Sequence, residues 1–391
     1  MLKYALHRRP EDVPGPMTQE QWQQLFAMAQ EHKLLPLFYE SAFGIASLAG
    51  TPLLASTRQL VLGQVMEQAV KTQEFLELYK ALSQRGFTPL VVKGILCRNL
   101  YPSPDLRPSS DEDLLVMPSQ FQEIQAQLQS LGLTPVNRQE DEVSFRRSGS
   151  PLHIELHRQL FPTNQQAYGH LNQYFQQIIH NSTTAQFQGV ALSVPEPTDH
   201  LLYMVCHNLK HFLHSGFGIR QVCDLLLFTQ AHNRELDWNR FTSTCRDIHC
   251  QVFASALYRI GVRHLGFDYQ SLGLPEVFQN LPVDELPLLE DLLEGGIYGG
   301  SSPARQRSSN ITLNAASGNV KKSPLAASLF PGVSQLQNRY PYLKRYPWLL
   351  PVAWGNRMIL YIRDLPKARE SLSLGTQRLT LLEQYDLIEK H

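Results

Sequence analysis

Apolar positions in the first part of the chain recur at three- and four-residue intervals. Trp22, Leu25, Phe26 and Ala29 open such a pattern over residues 18–48, and Pro36 restarts it after Leu34 and Leu35. A longer helix is predicted from Thr57 to Gln84, with Leu62, Val65, Ala69, Leu76 and Tyr79 as its stripe and Arg85-Gly86 as a basic last turn and stop. The period then shortens. Phe87 to Val92 is apolar and β-branched, which predicts a buried strand ending at Lys93-Gly94. One or two helical turns are expected from Ile95 to Tyr101, and Pro102, Pro104 and Pro108 make the next stretch a loop. That loop delivers the chain to a strand at Asp111 to Val116. Pro118, Phe121, Ile124 and Leu128 describe an amphipathic helix ended by Leu131-Gly132, and strands follow near Glu142 to Arg146 and Leu152 to His157.

Beyond Pro195 and Pro197 the helical period returns. Thr198 is the expected cap, Leu202, Val205, Leu209 and Phe212 the apolar face, and further helices are predicted at 221–230, 237–261 and 354–365. Paired glycines and a Ser/Asn-rich run make residues 295–325 an expected flexible surface loop. The pattern is that of an α+β protein: a mixed sheet flanked by helices, with a helical segment at 1–84, a core at 85–195 and a helical C-terminal domain at 196–391. A chain of 391 residues exceeds what one core usually serves, which agrees with that division.

Composition narrows the function classes. Lys plus Arg equals Asp plus Glu at 35 each, so the chain lacks the global basic excess of a protein that coats DNA. Cys97, Cys206, Cys223, Cys245 and Cys250 show no short paired spacing and read as reduced thiols. The N-terminus lacks an apolar signal core, and no apolar run reaches the roughly 18 residues of a membrane span. The expectation is a soluble, cytoplasmic protein that does not enter a membrane.

The chemistry lies in the acids. In an extended chain side chains alternate faces, so Asp111, Asp113 and Leu115 share one side of their strand while Leu114 and Val116 point to the other. Carboxylates held this close repel and raise each other's proton affinity unless a cation sits between them, and a hard divalent metal with oxygen ligands is the usual choice. A third acid stands in His153-Ile154-Glu155-Leu156-His157. Alternation puts His153, Glu155 and His157 on one face and Leu152, Ile154 and Leu156 on the other. Should the two strands be neighbours, three carboxylates converge, enough to hold two divalent ions about 3.5 to 4 Å apart for in-line phosphoryl displacement. The alternative is three unrelated acids on an exposed sheet face.

Lys93-Gly94, Arg107-Pro108-x-x-Asp111-x-Asp113-Leu114-Leu115-Val116 and Ile154-Glu155-Leu156-His157 resemble the largely uncharacterised bacterial nucleotidyltransferases of the DNA-polymerase-beta-like superfamily. His207-Asn208-Leu209-Lys210-His211, Arg220-Gln221-x-x-Asp224-Leu225 and the Tyr-Pro-rich C-terminal region extend the similarity, over about residues 20–360. The resemblance implies a nucleotidyltransferase fold with a helical partner domain, Mg2+ or Mn2+, and transfer of a nucleoside monophosphate from a nucleoside triphosphate. On that mapping Asp111, Asp113 and Glu155 hold metal, and Lys93, Gly94, Arg107 and Ser110 hold nucleotide phosphate. Better-known members place Gly-Ser where this chain has Lys93-Gly94; a glycine still lets backbone approach phosphate and a lysine supplies a point charge. The acceptor is open: a small molecule, a protein or an RNA. A toxin-like or regulatory modifier of tRNA or protein, and an inactive nucleotide-binding module, are the competing readings.

Two other features call for a role. His200, His207, His211 and His214 fall in one sector of a helix, and no carboxylate or cysteine at ligand spacing completes a zinc site there; His207 and His211 of this helix and His157 of the strand are expected to face the cleft. Arg107 is expected to meet phosphate or a strand acid, and Arg220 with Asp224 to form an i, i+4 helix pair. From Gly295 to Arg363 there is no acid, while Arg305, Arg307, Lys321, Lys322, Arg339, Lys344, Arg345, Arg357 and Arg363 are present. Such a one-sign stretch implies a partner: active-site phosphates, RNA, or acids elsewhere on the protein.

Overall fold

The computed structural model describes residues 1–295, 303–317, 330, 332–337, 339–363 and 365–388. Four helices come first: α1 (Leu2–His7), α2 (Gln19–Glu31), α3 (Leu35–Ala42) and α4 (Pro52–Gln84). The sheet follows, as β1 (Leu90–Val92), β2 (Glu112–Leu115), β3 (Thr134–Arg138), β4 (Glu142–Arg146), β5 (His153–His157), β6 (Thr183–Phe187) and β7 (Val190–Val194), interrupted by α5 (Ile95–Arg98) and α6 (Phe121–Ser130). Its order is β3-β4-β5-β2-β1-β7-β6. The β2–β5 and β1–β7 pairs are parallel and the others antiparallel, so the sheet is mixed.

Helices dominate again from α7 (Pro197–Leu213), α8 (Ile219–His232), α9 (Trp238–Asp247) and α10 (Gln251–His264) through α11 (Tyr269–Leu272), α12 (Glu276–Gln279), α13 (Leu286–Gly295) and α14 (Pro303–Ala316); helices Leu350–Arg363 and Leu365–Gln384 come last. The result is an α+β architecture. No helix among the described residues is long and apolar enough to cross a membrane.

The two sheet faces have different covers. Val91, Leu114, Val143, Phe145, Ile154 and Leu156 pack against Phe75, Leu76 and Tyr79 of α4 and Phe121, Ile124 and Leu128 of α6. On the opposite face Leu90, Val92 and Leu115 join the larger core built from α7, α8 and α10. The acids of β2 and β5 stand on this second face, beneath α7. Lys93 turns left-handed at φ 56° just after β1, and its backbone N–H donates to His200 Nε2 on α7 at 3.2 Å. Burial, followed by the nearby His232 and Lys93, pulls His200 down to about 3. It is therefore held as a neutral acceptor.

Between Asp111 and Asp113 the sequence places Glu112, whose alternation sends it to the Leu114 face. A carboxylate there is fully buried and must be paired. Glu112 accepts Arg98 at 2.5 Å, Ser109 Oγ at 3.1 Å and the Ile95 backbone N–H at 2.9 Å. Gly94, at φ 43°, is the residue that makes room, since a Cβ there would stand 2.1 Å from Glu112 Oε2. Its missing side chain makes room for the protein's own carboxylate.

Several expected elements differ. In α4, Leu62 and Ala69 are exposed, and the buried face carries Val61, Gln68, Lys71 and Thr72 before it becomes apolar at Phe75. The cause is the loop before β2: Gln68 Oε1 accepts Ser109 N–H at 2.7 Å, and the Lys71 ammonium donates to the carbonyls of Ser109 and Ser110. Glu196, not Thr198, caps α7 by accepting the N–H groups of Thr198 and Asp199 at 3.0 and 3.3 Å. A left-handed His249 at φ 55° breaks the expected 237–261 helix into α9 and α10. Residues 303–316 of the expected loop form α14, anchored by polar groups a hydrophobic pattern does not register: Arg305 pairs with Asp291 at 2.5 Å and donates to Ser215 O at 2.6 Å, and Thr312 Oγ1 donates to Leu213 O. The remainder of that loop, with Lys321 and Lys322, lies outside the described residues, as do the side chains of Arg307 and Arg363.

Two predictions follow from this packing. Glu112→Gln leaves Arg98 a buried, uncompensated cation and is expected to cost about 3 to 5 kcal/mol in urea unfolding; a loss below about 1 kcal/mol would mean that water relieves the pair. For His200 the folded state binds a proton less readily than the unfolded chain, so its contribution is complete above about pH 6.5 and falls as pH drops towards 3, at about 1.4 kcal/mol per unit. The urea midpoint should accordingly drop less between pH 7 and pH 5 in His200→Gln than in the parent chain.

Candidate active site

The parallel β2–β5 register sets Asp113 directly beside Glu155, and the antiparallel β1–β2 register sets Val92 beside Asp113. Asp111 enters from the loop just before β2. Two overlapping groups result, Asp111 with His153 and Glu155, and Asp113 with Glu155 and His157; within each, the potential ligand atoms lie within 4.8 Å of one another. The three sequence-predicted acids thus converge on one patch of sheet. Glu142, from β4, adds a fourth carboxylate opposite His157.

Such crowding has an electrostatic cost. Burial raises Glu155, and the Asp113 and Asp111 carboxylates add to it, pushing it up to about 9. Burial acts the same way on Asp113, but the Lys93 ammonium and His157 outweigh it and hold Asp113 well below the usual carboxylate range. The geometry is direct: Lys93 Nζ lies 3.1 Å from Asp113 Oδ2, and His157 Nε2 lies 3.0 Å from Asp113 Oδ1.

Above the acids runs the polar side of α7. Lys93 Nζ donates to His207 Nε2 at 2.8 Å, and His207 Nε2 meets His211 Nε2 at 3.0 Å. Burial first, then the positive Lys93, keeps His207 far below its ordinary value, so it accepts as a neutral ring. Further along, His214 Nε2 meets Tyr168 Oη at 2.7 Å. Together these groups wall a cavity of about 800 Å³, within the range that accommodates small-molecule ligands. His157, His207 and His211 all line it, with the acids and Lys93.

Arg107 and Ser110 also line the cavity, each with a partner inside the protein. Arg107 is buried and forks onto Asp224 of α8, Nε to Oδ1 at 3.0 Å and Nη2 to Oδ2 at 2.5 Å, while Tyr101 Oη donates to the same carboxylate at 2.8 Å. Within the protein its partner is thus an acid of a helix, not of a strand. Arg220, expected to pair with Asp224, instead donates to the Pro108 carbonyl. Both arginines therefore brace the loop that carries the acids. Ser110 lies exposed at the cavity mouth, where its hydroxyl accepts from the Lys33 ammonium; burial and then Arg220 lower Lys33 to about 8.

Sequence reasoning missed Lys210. It lines the cavity, its proton affinity lowered by burial and by Lys93, and no ion pair or hydrogen bond holds its ammonium among the described residues. The signal was available: on α7 it follows His207 by three residues, and a helix brings positions three apart onto one side.

Comparison with known proteins places this geometry. A solved nucleotidyltransferase-like antigenic protein from Paracoccidioides brasiliensis is 15% identical, with 50% of this chain covering 93% of that one at a TM-score of 0.31. None of the curated proteins matches the chain. Residues 18–266, which include all of the sheet, α7 and the acids, match the family described as uncharacterised nucleotidyltransferases, and the chain belongs to that family.

Proposed function

We propose that this protein is a metal-dependent nucleotidyltransferase that moves a nucleoside monophosphate from a nucleoside triphosphate to an acceptor hydroxyl. The observation that carries the reading is the lateral pairing of Asp113 with Glu155 on parallel strands, with Asp111 brought to the same patch. The donor set fits a divalent cation: carboxylate oxygens from Asp111, Asp113 and Glu155 are hard ligands suited to Mg2+ or Mn2+, and the two adjoining imidazoles, His153 and His157, suit Mn2+ better than Mg2+. His153 Nε2 is buried with no hydrogen-bond partner, as a group awaiting a ligand would be. When bound, the ion would neutralise charge on the phosphates and on the attacking oxygen.

The chain's own residues do the remaining work. Lys93 and Lys210 stand on the same side of the cavity and supply cationic charge for the triphosphate, while neutral His207 holds Lys93 in place without adding a competing charge. The acceptor oxygen forms its bond to the α-phosphorus as the bond to the departing pyrophosphate breaks, and the hydroxyl proton is released. Little covalent chemistry is asked of the protein; positioning and charge neutralisation carry the rate.

Incubating the purified chain with α-labelled nucleoside triphosphates and a cell extract tests the reading, and whether label appears on RNA, protein or a small molecule identifies the acceptor class. Label transfer is expected only with Mg2+ or Mn2+, lost on chelation, and reduced by about two to three orders of magnitude in Asp113→Asn, with the folded circular dichroism spectrum retained. Nucleotide binding without any transfer would instead establish a binding module. Lys210→Ala is expected to raise the KM for the triphosphate about tenfold to a hundredfold, the equivalent of one charge-assisted hydrogen bond, with partial recovery in Lys210→Arg. An unaltered KM would remove Lys210 from the phosphate site.

A further inference from the structure

The acid-free stretch is unused by the site described above. Beyond α14 it includes a small cluster of its own: Leu336, Tyr340, Leu343 and Ala353 are buried together, with Tyr342, Leu349, Leu350 and Trp354 packed against them. The inward side of helix Leu350–Arg363 is thus satisfied and the outward side is not. Val352 is 60% exposed and Ile359 68%, seven residues apart and so on one side of the helix, and Trp348, in the turn that leads into it, is 74% exposed. Tyr346 lies exposed beside them, its ring 6.4 Å from that of Trp348. At the same end Lys344 and Arg345 are exposed, Arg345 standing over the Tyr346 ring at 5.6 Å, and Arg339 is exposed as well.

We propose that this surface seats on an anionic lipid bilayer, with helix Leu350–Arg363 lying in the interface plane. The charge and apolar patterns select this partner together. Aromatic rings and aliphatic side chains on one helix face, flanked by cations and without acids from residue 295 to 363, are what the headgroup boundary of a negatively charged leaflet accommodates. A single-stranded nucleic acid would use the cations and the rings of Tyr346 and Trp348, but it offers nothing to Val352 and Ile359. A second copy would bury the aliphatic row while bringing Lys344 and Arg345 against like charges. Helix α4 supplies a contrast: Leu62, Met66 and Val70 form a comparable exposed row, but Glu67 is exposed alongside and Glu74 follows, so no anionic surface is selected there.

The experiment is sedimentation of the full chain with phosphatidylcholine vesicles, with and without phosphatidylglycerol, together with tryptophan emission. Binding is expected only to the anionic vesicles, weakening with salt, with a blue shift that disappears in Trp348→Ala. Lys344→Ala/Arg345→Ala should weaken binding about thirtyfold, at about 1 kcal/mol for each cation near the surface, and Val352→Ser/Ile359→Ser should also release the protein. All these side chains are solvent-facing, so unchanged urea midpoints will exclude misfolding. Equal binding to neutral vesicles, no binding to either, or variants that bind like the parent would overturn the proposal. So would a Trp348 emission shift produced by a single-stranded RNA oligonucleotide but not by lipid, or a concentration-dependent dimer in light scattering that Val352→Ser/Ile359→Ser abolishes.

Discussion

Four carboxylates on one sheet face repel one another, and this chain folds around the means of holding them there. The repulsion is not removed by burial, which in a medium of low polarity strengthens it. It is offset locally: Lys93 lies on one oxygen of Asp113 and His157 on the other, so that a single acid is kept firmly ionised. Glu155, its neighbour in the register, has only the more distant His157 Nε2 at 3.8 Å and carries the raised proton affinity instead. An incoming cation would find one carboxylate already charged and another that charges as it arrives. The asymmetry follows from Lys93 being the one ammonium ion-paired with these acids among the described residues.

The Asp111-Glu112-Asp113 triplet shows how a strand divides its labour. Alternation sends the outer two acids to the cavity and the middle one into the core, where a charge is tolerable only if its hydrogen-bonding capacity is filled. Arg98, Ser109 and the Ile95 N–H fill it. Because Arg98 and Ile95 belong to the short helix after the Lys93-Gly94 turn, Glu112 ties that turn to the acid strand. The distance between Lys93 and Asp113 is thereby set from the far side of the sheet. Lys71 and Gln68 of α4 fix the preceding loop by its backbone, and the Arg107–Asp224 fork holds it from α8. Three elements distant in sequence thus restrain one loop of a few residues.

This arrangement explains what could be read from the chain and what could not. The strands bearing Asp113 and Glu155 were legible because each alternates cleanly, with Leu152, Ile154 and Leu156 all buried on one side. The fold class followed from the same periods. The edge strands β3 and β6, and β7 beside the latter, were not legible: Thr134 to Arg138 is mostly exposed, and Thr183 to Phe187 carries little apolar signal. The supporting polar network was hidden for a different reason. Gln68, Lys71, Arg98 and Glu112 are individually indistinguishable from surface residues, and their burial makes sense only once each partner is known. Arg107 invited a phosphate role by its place near the acids, yet its partner lies 117 residues away on α8.

The histidines of α7 answer a requirement created by Lys93. Its ammonium lies between the acids and the helix at the cavity wall, and it needs acceptors on the helix side as well as the Asp113 carboxylate below. A further carboxylate above would enlarge the repulsion that Lys93 offsets, whereas an apolar residue would leave donors unfilled. An imidazole kept neutral by burial accepts a hydrogen bond while contributing no net charge. His207 does this for the ammonium and His200 for the backbone N–H of the same residue. Side chain and backbone of Lys93 are thus both held by one helix through rings that burial prevents from protonating, which is why a stripe of histidine, rather than of acid or amide, faces the sheet.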